Sequence, residues 1–165
     1  LGFDLAAIAG GLATARPAKG RCVWRAAGEV RILDDTYNAN PASVRAALDT
    51  VAAHREGARV VAVLGDMLEL GPGVDDAHRE IGGYAAEIGV QVVVGMGRHA
   101  RALVEGARAA GIAETQHTET FEDTVAFLLK ELVPGDLVLV KGSRGMRMER
   151  IVDALVARLA RAGGE

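Results

Sequence analysis

The chain lacks the features that mark several classes of protein. Only one of its 165 residues is a cysteine, which excludes a disulfide framework or a multi-cysteine zinc site and suits a reducing compartment. Aromatic residues make up 4% of the chain, too few for the stacking platforms that bind single-stranded nucleic acid. No apolar run approaches the roughly 18 residues of a membrane span, and we expect neither a signal peptide nor a membrane partner.

An excess of positive charge is absent as well. The chain has 19 Lys and Arg residues against 22 Asp and Glu residues, which gives a net charge of −3. Nucleic acid and anionic membranes call for a basic excess or a basic stripe, so neither is expected as the main partner. Half of the residues are apolar and a quarter are charged, as in folded globular domains. We therefore expect one acidic, cytoplasmic domain.

Short apolar runs alternate with longer helical patterns along the chain, which is typical of repeated βαβ units. We predict an α/β fold with a doubly wound, mostly parallel, Rossmann-like sheet that begins with an N-terminal hairpin. The predicted strands are 22–25, 30–33, 60–64, 92–94, 115–118 and 137–140. Between strands, Asn40-Pro41 predicts a helix start with an N-cap and a proline at the first position, and Thr120 with Asp123 resembles a capping box.

Polar clusters follow four of these strands, at the edge where open parallel sheets bind ligands. The clusters are 34–40, 65–66, 95–99 and 141–144. Asp34 and Asp35 are either turn acids or groups that coordinate Mg²⁺, accept hydrogen bonds from a ribose or orient a base. Asn38 is equally compatible with a turn, and an N-cap already explains Asn40.

The segment 141–145 is the stronger signal. Two cations, a hydroxyl and two glycines precede a helix whose free N–H groups favour anions, so a carboxylate or phosphate ligand is favoured over a simple capping loop.

The segment 95–100 matches Gly-x-Gly-x-x-Ala after a strand, but only Glu114 or Glu119 loosely meets the acid expected about 20 residues later. Tight-turn glycines explain it better. His78 beside Asp75 and Asp76 is interpreted as a histidine on a helix surface rather than a metal ligand.

At 34–41 the sequence reads Asp-Asp-Thr-Tyr-Asn-Ala-Asn-Pro and resembles the Mur ligase family. Three further stretches agree in order: Gly20-Arg21, the segment 64–71, and the segment 141–145 followed by Met148-Glu149. The likeness covers about residues 20–160, and an ordered set of motifs is more specific than any single one.

The resemblance implies a three-domain enzyme with this chain as its C-terminal domain. Residues 20–165 would form that domain, and residues 1–19 would be a remnant of the central ATPase domain or a linker. The 165 residues contain no Gly-x4-Gly-Lys-Ser/Thr P-loop, which the resemblance assigns to the central domain. We therefore expect this chain alone to be inactive.

The implied reaction is the ATP-dependent formation of an amide bond through an acyl phosphate. The motifs favour UDP-N-acetylmuramoyl-tripeptide and D-alanyl-D-alanine as substrates over those of another Mur or folylpolyglutamate-type ligase. The other implied partners are the N-terminal and central domains. ATP and Mg²⁺ are the implied cofactors, held mainly by the central domain, and no metal ligand is assigned here. Positioned cations would stabilise the charge that develops on the phosphoryl and tetrahedral oxygens.

The resemblance also implies roles for single residues. Arg21 matches an arginine that reaches the ATP phosphates, and Asp35 matches an acid that holds the nucleotide, at its ribose. The same ATP-binding loop is completed by Tyr37, Asn38 and Asn40.

A second group of residues is implied to contact the incoming amino substrate. Lys141, Ser143 and Arg144 occupy the position at which a cationic, hydroxyl-bearing loop binds the free carboxylate. Asp66 and Glu69 lie in a motif whose role the residues do not indicate, and we expect an interdomain contact there.

One rival from another class is a phosphoacceptor receiver domain. Asp34, Asp35, Asp66 and Lys141 imitate its acids and lysine at strand ends. However, Asp66 ends the strand immediately after the acid pair, and Lys141 is followed by Gly-Ser-Arg rather than by a turn proline. A dinucleotide-binding module built on Gly95 and Gly97 is the third candidate.

Overall fold

The structure is a computed structural model that describes residues 4–14 and 18–162. Six strands and six α-helices lie in these ranges. The strands are β1 (Val23–Ala27), β2 (Val30–Asp35), β3 (Val60–Gly65), β4 (Val92–Met96), β5 (Glu114–Thr118) and β6 (Leu137–Lys141). The helices are α1 (Leu5–Thr14), α2 (Pro41–Ala53), α3 (Val74–Glu87), α4 (Ala100–Ala109), α5 (Phe121–Glu131) and α6 (Glu149–Ala162).

The strands form one sheet in the order β1-β2-β6-β3-β4-β5. β1 and β2 pair antiparallel as a hairpin, and every other pairing is parallel. The last strand in the sequence, β6, lies between β2 and β3. This topology confirms the predicted α/β fold with a mostly parallel sheet and an N-terminal hairpin.

Helices cover both faces of the sheet, as a doubly wound fold requires. The core on one face joins the apolar sides of α2, α3 and α4 to the sheet, and the core on the other face joins those of α5 and α6. Every residue of β3 and β6 is buried, because both strands lie inside the sheet with a core on each face. The unbroken apolar runs Val60–Leu64 and Leu137–Val140 are the pattern expected of such strands.

The predicted helix starts are confirmed, one of them in altered form. Asn40 caps α2 in a reciprocal capping box with Ser43, and Pro41 occupies the first turn. Thr120 caps α5 by accepting from the Asp123 N–H. The Asp123 carboxylate accepts from the Thr120 hydroxyl, so this pair departs from the capping box that the spacing predicts.

All strands except β5 run further at their carboxyl ends than the apolar runs predict. β2 includes Asp35 and β6 includes Lys141, because the parallel ladder pairs these two residues although neither is apolar. The helix predicted to follow the segment 141–145 is α6, which begins at Glu149. A 3-10 turn (Arg144–Met146) and a left-handed residue, Arg147, come before α6.

None of the helices in the described ranges combines the length and apolar character needed to cross a bilayer.

Candidate functional site

A buried ion pair joins the carboxyl ends of β2 and β6. Lys141 Nζ lies 2.5 Å from Asp35 Oδ2 and donates a second hydrogen bond to the Asn38 carbonyl at 2.8 Å. The Lys141 side chain is 3% exposed and that of Asp35 is 12% exposed. The predicted nucleotide acid and the predicted substrate lysine therefore neutralise each other inside the protein.

The segment before the hairpin is fixed to the same loop. The Cys22 N–H donates to Asp35 Oδ1 at 3.1 Å, and the Tyr37 N–H donates to the Gly20 carbonyl at 2.8 Å. Gly20 has a φ of 72°, and a Cβ there would lie 2.9 Å from the Thr36 hydroxyl, so this close approach requires glycine. Burial raises the pKa of the Cys22 thiol, and the neighbouring Asp35 charge raises it further.

Asp34 has a local role. Its Oδ1 accepts from both the N–H and the hydroxyl of Thr36, at 3.3 and 2.7 Å. The turn-acid reading therefore accounts for Asp34, while Asp35 reaches across the sheet.

A cavity of about 370 Å³ opens beside the ion pair, with α2 as one wall. Its lining contains Lys141 and all the residues predicted to bind ATP, which are Arg21, Asp35, Tyr37, Asn38 and Asn40. The Asn40 side-chain oxygen is already used, since it accepts from the Ser43 N–H at 2.8 Å. Asn40 thus shapes the wall through the start of α2.

Two arginines from different loops meet at one aromatic ring. The Arg21 guanidinium carbon lies 4.0 Å from the Tyr37 ring centroid, and that of Arg144 lies 5.7 Å from it. All three side chains belong to exposed residues. The Nη1 atom of Arg144 also lies 3.6 Å from the Glu149 carboxylate, which balances part of this positive charge. The two guanidinium groups beside one ring can still attract an anion. The geometry suits a phosphate or a carboxylate.

Ser143 is buried and bonded on three sides. Its N–H donates to the Asp66 carbonyl at 3.1 Å, and its hydroxyl accepts from the Leu68 N–H at 2.8 Å. The hydroxyl also lies 3.4 Å from the Ala39 carbonyl. Ser143 therefore ties together the loops that follow β2, β3 and β6.

The two residues predicted to contact another domain differ in exposure. Asp66 is 5% exposed, and its Oδ1 accepts from the Ala100 N–H at the start of α4, at 2.8 Å. Glu69 is exposed and has a φ of 65°. The Asp66 carboxylate is directed into its own domain, whereas Glu69 is accessible to a neighbour.

Neither rival architecture fits the geometry. A Cβ on Gly97 would lie 2.6 Å from the Asp66 carboxyl carbon, so the acid fills the space at the start of α4 where a dinucleotide phosphate would bind. A receiver domain would need an accessible acceptor near its lysine. Here Asp66 is buried, and Lys141 pairs with Asp35 instead.

The predicted surface position of His78 is wrong. The side chain is fully buried and bonds the loop that follows β3. The helical spacing alone places it near Ile81 and Ala85, both buried, and that spacing is the signal that could have revealed it.

Comparison with known proteins agrees with the geometry. The model of the family described as "Mur ligase, glutamate ligase domain" matches residues 20–144. The chain belongs to the Mur ligase family. The matched range includes every predicted site residue.

The curated relatives are UDP-N-acetylmuramoyl-tripeptide–D-alanyl-D-alanine ligases. The one from Mycobacterium tuberculosis (strain ATCC 25618 / H37Rv) is 42% identical over 147 residues, covering 78% of this chain and 29% of the relative. The one from Escherichia coli (strain K12) is 37% identical over 161 residues, covering 94% of this chain and 33% of the relative. The chain thus spans about a third of the length of these relatives.

Solved structures give the same picture. MurF from Acinetobacter baumannii superposes with a TM-score of 0.84 at 31% identity, covering 94% of this chain and 34% of that one. MurF ligase from Thermotoga maritima, solved in complex with ADP, superposes with a TM-score of 0.77 at 26% identity, covering 92% and 34%.

Proposed function

We propose that this chain is the C-terminal domain of a UDP-N-acetylmuramoyl-tripeptide–D-alanyl-D-alanine ligase that acts in the cytoplasm in peptidoglycan synthesis. Residues 20–165 form that domain in the proposal, and residues 1–19 belong to the preceding central domain or linker. Identity to ligases of this name across most of the chain supports the assignment.

The junction of two loops carries the proposal. An ATP-dependent ligase must bring a nucleotide-activated carboxylate and an incoming amine together, because ordered proximity removes most of the entropic barrier. Here the ion pair of Asp35 and Lys141 joins the segment 35–40, the nucleotide loop, to the segment 141–144, the amino-substrate loop. Arg21 and Arg144 both lie beside the Tyr37 ring. One surface can therefore serve both substrates.

The residues fit a nucleotide. The cavity beside Asp35 is lined by Arg21 and by polar residues that include Asn38 and Asn40. In the proposal Arg21 contacts the phosphates, while Asp35, Tyr37 and Asn38 surround the ribose side of the cavity. When bound, ATP supplies the phosphoryl group that activates the tripeptide carboxylate.

The residues do not fit a resident Mg²⁺ site. Within 4–14 and 18–162, no three acidic, histidine or cysteine side chains are grouped so as to hold a metal ion. Asp35 is already neutralised by Lys141. The proposal therefore assigns Mg²⁺ binding to the part of the ligase outside this chain.

The amino-substrate loop is divided between contact and support. Arg144 is exposed and can form a charge-assisted pair with the dipeptide carboxylate. Lys141 and Ser143 are buried and bonded within the protein, so we propose that they hold the loop in place rather than touch the dipeptide.

The test uses the full-length protein that carries this chain. Phosphate release from ATP should require both UDP-N-acetylmuramoyl-tripeptide and D-alanyl-D-alanine, and mass spectrometry should show the joined product. Substituting D-glutamate, L-alanine or L-lysine for the dipeptide is the control and should give no product. The 165 residues alone should give none with any acceptor, since they contain no P-loop.

Product formation with one of the single amino acids in place of the dipeptide would assign the chain to another ligase of the family. Ligation by the 165-residue chain alone would contradict the domain assignment.

A further inference from the structure

The loop 65–71 (Gly65 to Gly71) contacts the amino-substrate loop through its backbone. The Asp66 carbonyl accepts from the Ser143 N–H, and the Leu68 N–H donates to the Ser143 hydroxyl. These two bonds hold Ser143, the residue immediately before Arg144, from one side. The position of Arg144 therefore depends on the position of the loop 65–71.

His78, on the first turns of α3, holds this loop from the other side. Its Nε2 lies 2.9 Å from the Met67 nitrogen, and its Nδ1 lies 2.7 Å from the Val74 carbonyl oxygen. The Met67 N–H can only donate, so Nε2 is the unprotonated nitrogen and Nδ1 donates to Val74. The ring is a neutral imidazole whose tautomer and orientation are fixed by its own helix.

Two consecutive backbone amides thus connect α3 to the substrate loop. The Met67 N–H reaches His78, and the next N–H, that of Leu68, reaches Ser143. His78 and Met67 are 0% and 1% exposed, so loss of the imidazole acceptor would leave a buried N–H without a partner. The loop would then shift to regain a partner, and the Leu68–Ser143 bond would shift with it.

We infer that His78 is a positioning residue that sets the affinity for the incoming dipeptide by fixing the loop 65–71 against Ser143. This inference rests on the proposed ligase function. It gives the segment 64–71, which the sequence alone does not explain, the role of a support between α3 and the substrate loop. The ATP cavity lies on the β2 side of Lys141, and its lining contains no residue of this loop.

The test is steady-state phosphate release by the full-length protein, with each substrate varied in turn. His78→Phe keeps a ring but removes the acceptor. We expect KM for D-alanyl-D-alanine to rise about tenfold, the order expected for one unsatisfied buried N–H, with KM for ATP changed less than about twofold. His78→Gln, whose amide oxygen can replace Nε2, should restore KM to within about threefold of the wild type.

Thr124→Val is the matched control, because it removes a buried hydrogen bond to Thr118, in a part of the fold that bonds neither loop. It should leave the ratio of the two KM values unchanged. If His78→Phe does not fold, His78→Asn is measured instead, since its shorter side chain falls short of the Met67 N–H, and the same selective rise is expected.

Equal changes in the KM values for ATP and dipeptide, or no rescue by His78→Gln, would overturn the inference and leave His78 with a purely structural role. The wild-type protein distinguishes this from failure of the proposed function. Without dipeptide-dependent phosphate release by the wild type, the function itself is wrong.

Discussion

The two ends of β6 carry ion pairs of similar chemistry in different surroundings. At the amino end, Asp136 is 1% exposed and receives a two-pronged hydrogen bond from Arg59, at 3.0 and 2.9 Å. Arg59 also donates to the Glu131 carboxylate and carbonyl at 2.8 and 2.7 Å. These contacts raise the pKa of the Arg59 guanidinium further above its ordinary value, the Asp136 bond most of all. All three guanidinium nitrogens of Arg59 thus donate to acceptors of the protein itself.

At the carboxyl end, Lys141 pairs with Asp35 beside a cavity of about 370 Å³. Arg21 and Tyr37 line this cavity, and the exposed Arg144 lies 5.7 Å from the same Tyr37 ring. The comparison teaches that a buried ion pair does not by itself mark a site. A cavity of about 460 Å³ lies beside Arg59 as well. What distinguishes the carboxyl end is a pair of exposed arginines that meet at one aromatic ring.

The largest effect is expected at the amino end of β6, where Arg59 pairs with Asp136. Arg59→Ala leaves Asp136 buried without its partner and should lower the free energy of unfolding of the 165-residue chain by about 3–5 kcal/mol. Urea denaturation followed by circular dichroism measures this. Arg101→Ala, which removes an exposed pair with Glu119, is the control and should cost under about 1 kcal/mol. A loss of that small size for Arg59→Ala would show that the hydrogen bonds of Arg59 contribute no more to stability than an exposed ion pair does.

Breaking the Lys141–Asp35 pair should affect both stability and function. Lys141→Met leaves the Asp35 carboxylate unpaired and should cost about 3 kcal/mol of unfolding free energy in the same assay. Adding Asp35→Asn removes the unpaired charge and should recover most of this loss. In the full-length protein the double variant should still show a raised KM for ATP. Recovery of both stability and ATP use would reduce Asp35 and Lys141 to a structural pair like that of Arg59 and Asp136.

A smaller, more selective effect is expected at the two exposed arginines. Arg144→Ala should raise KM for D-alanyl-D-alanine. Arg21→Ala should raise KM for ATP and slow formation of the acyl phosphate. A charge-assisted contact contributes roughly 1.5–3 kcal/mol, which is about 10- to 150-fold. Arg150→Ala, on α6 over Phe121, is the control and should change neither value more than about twofold. If Arg144→Ala altered only the KM for ATP, the assignment of the loops would be reversed.

Local signals in the sequence predicted the architecture well. The apolar run at Val60–Leu64 and the cap at Asn40 depend on neighbours within a few residues, so the structure reproduces both. The strand ends were predicted too short, because ladder pairing, which no local pattern shows, carries Asp35 and Lys141 into the sheet.

The sequence does not show which candidate site residues lie together. Asp35 and Lys141 are 106 residues apart, and only the insertion of β6 between β2 and β3 makes them neighbours. The burial of Ser143 depends on packing by other elements, so its type and spacing could not reveal it, whereas the helical spacing of His78 with Ile81 and Ala85 could have done so. The family resemblance implies a substrate contact for Ser143, and no sequence pattern shows that its hydroxyl accepts from the Leu68 N–H.

Amide hydrogen exchange of the full-length protein tests most directly the claim that ligands bind at the carboxyl end of the sheet and not at the amino end. Spectra are compared with and without ATP and with and without D-alanyl-D-alanine. We predict that ATP slows exchange of the Tyr37 and Asn38 amides, that the dipeptide slows exchange of the Arg144 amide, and that neither changes exchange of the Asp136 amide. Ligand-dependent protection at Asp136, with none at Tyr37 or Arg144, would contradict the account.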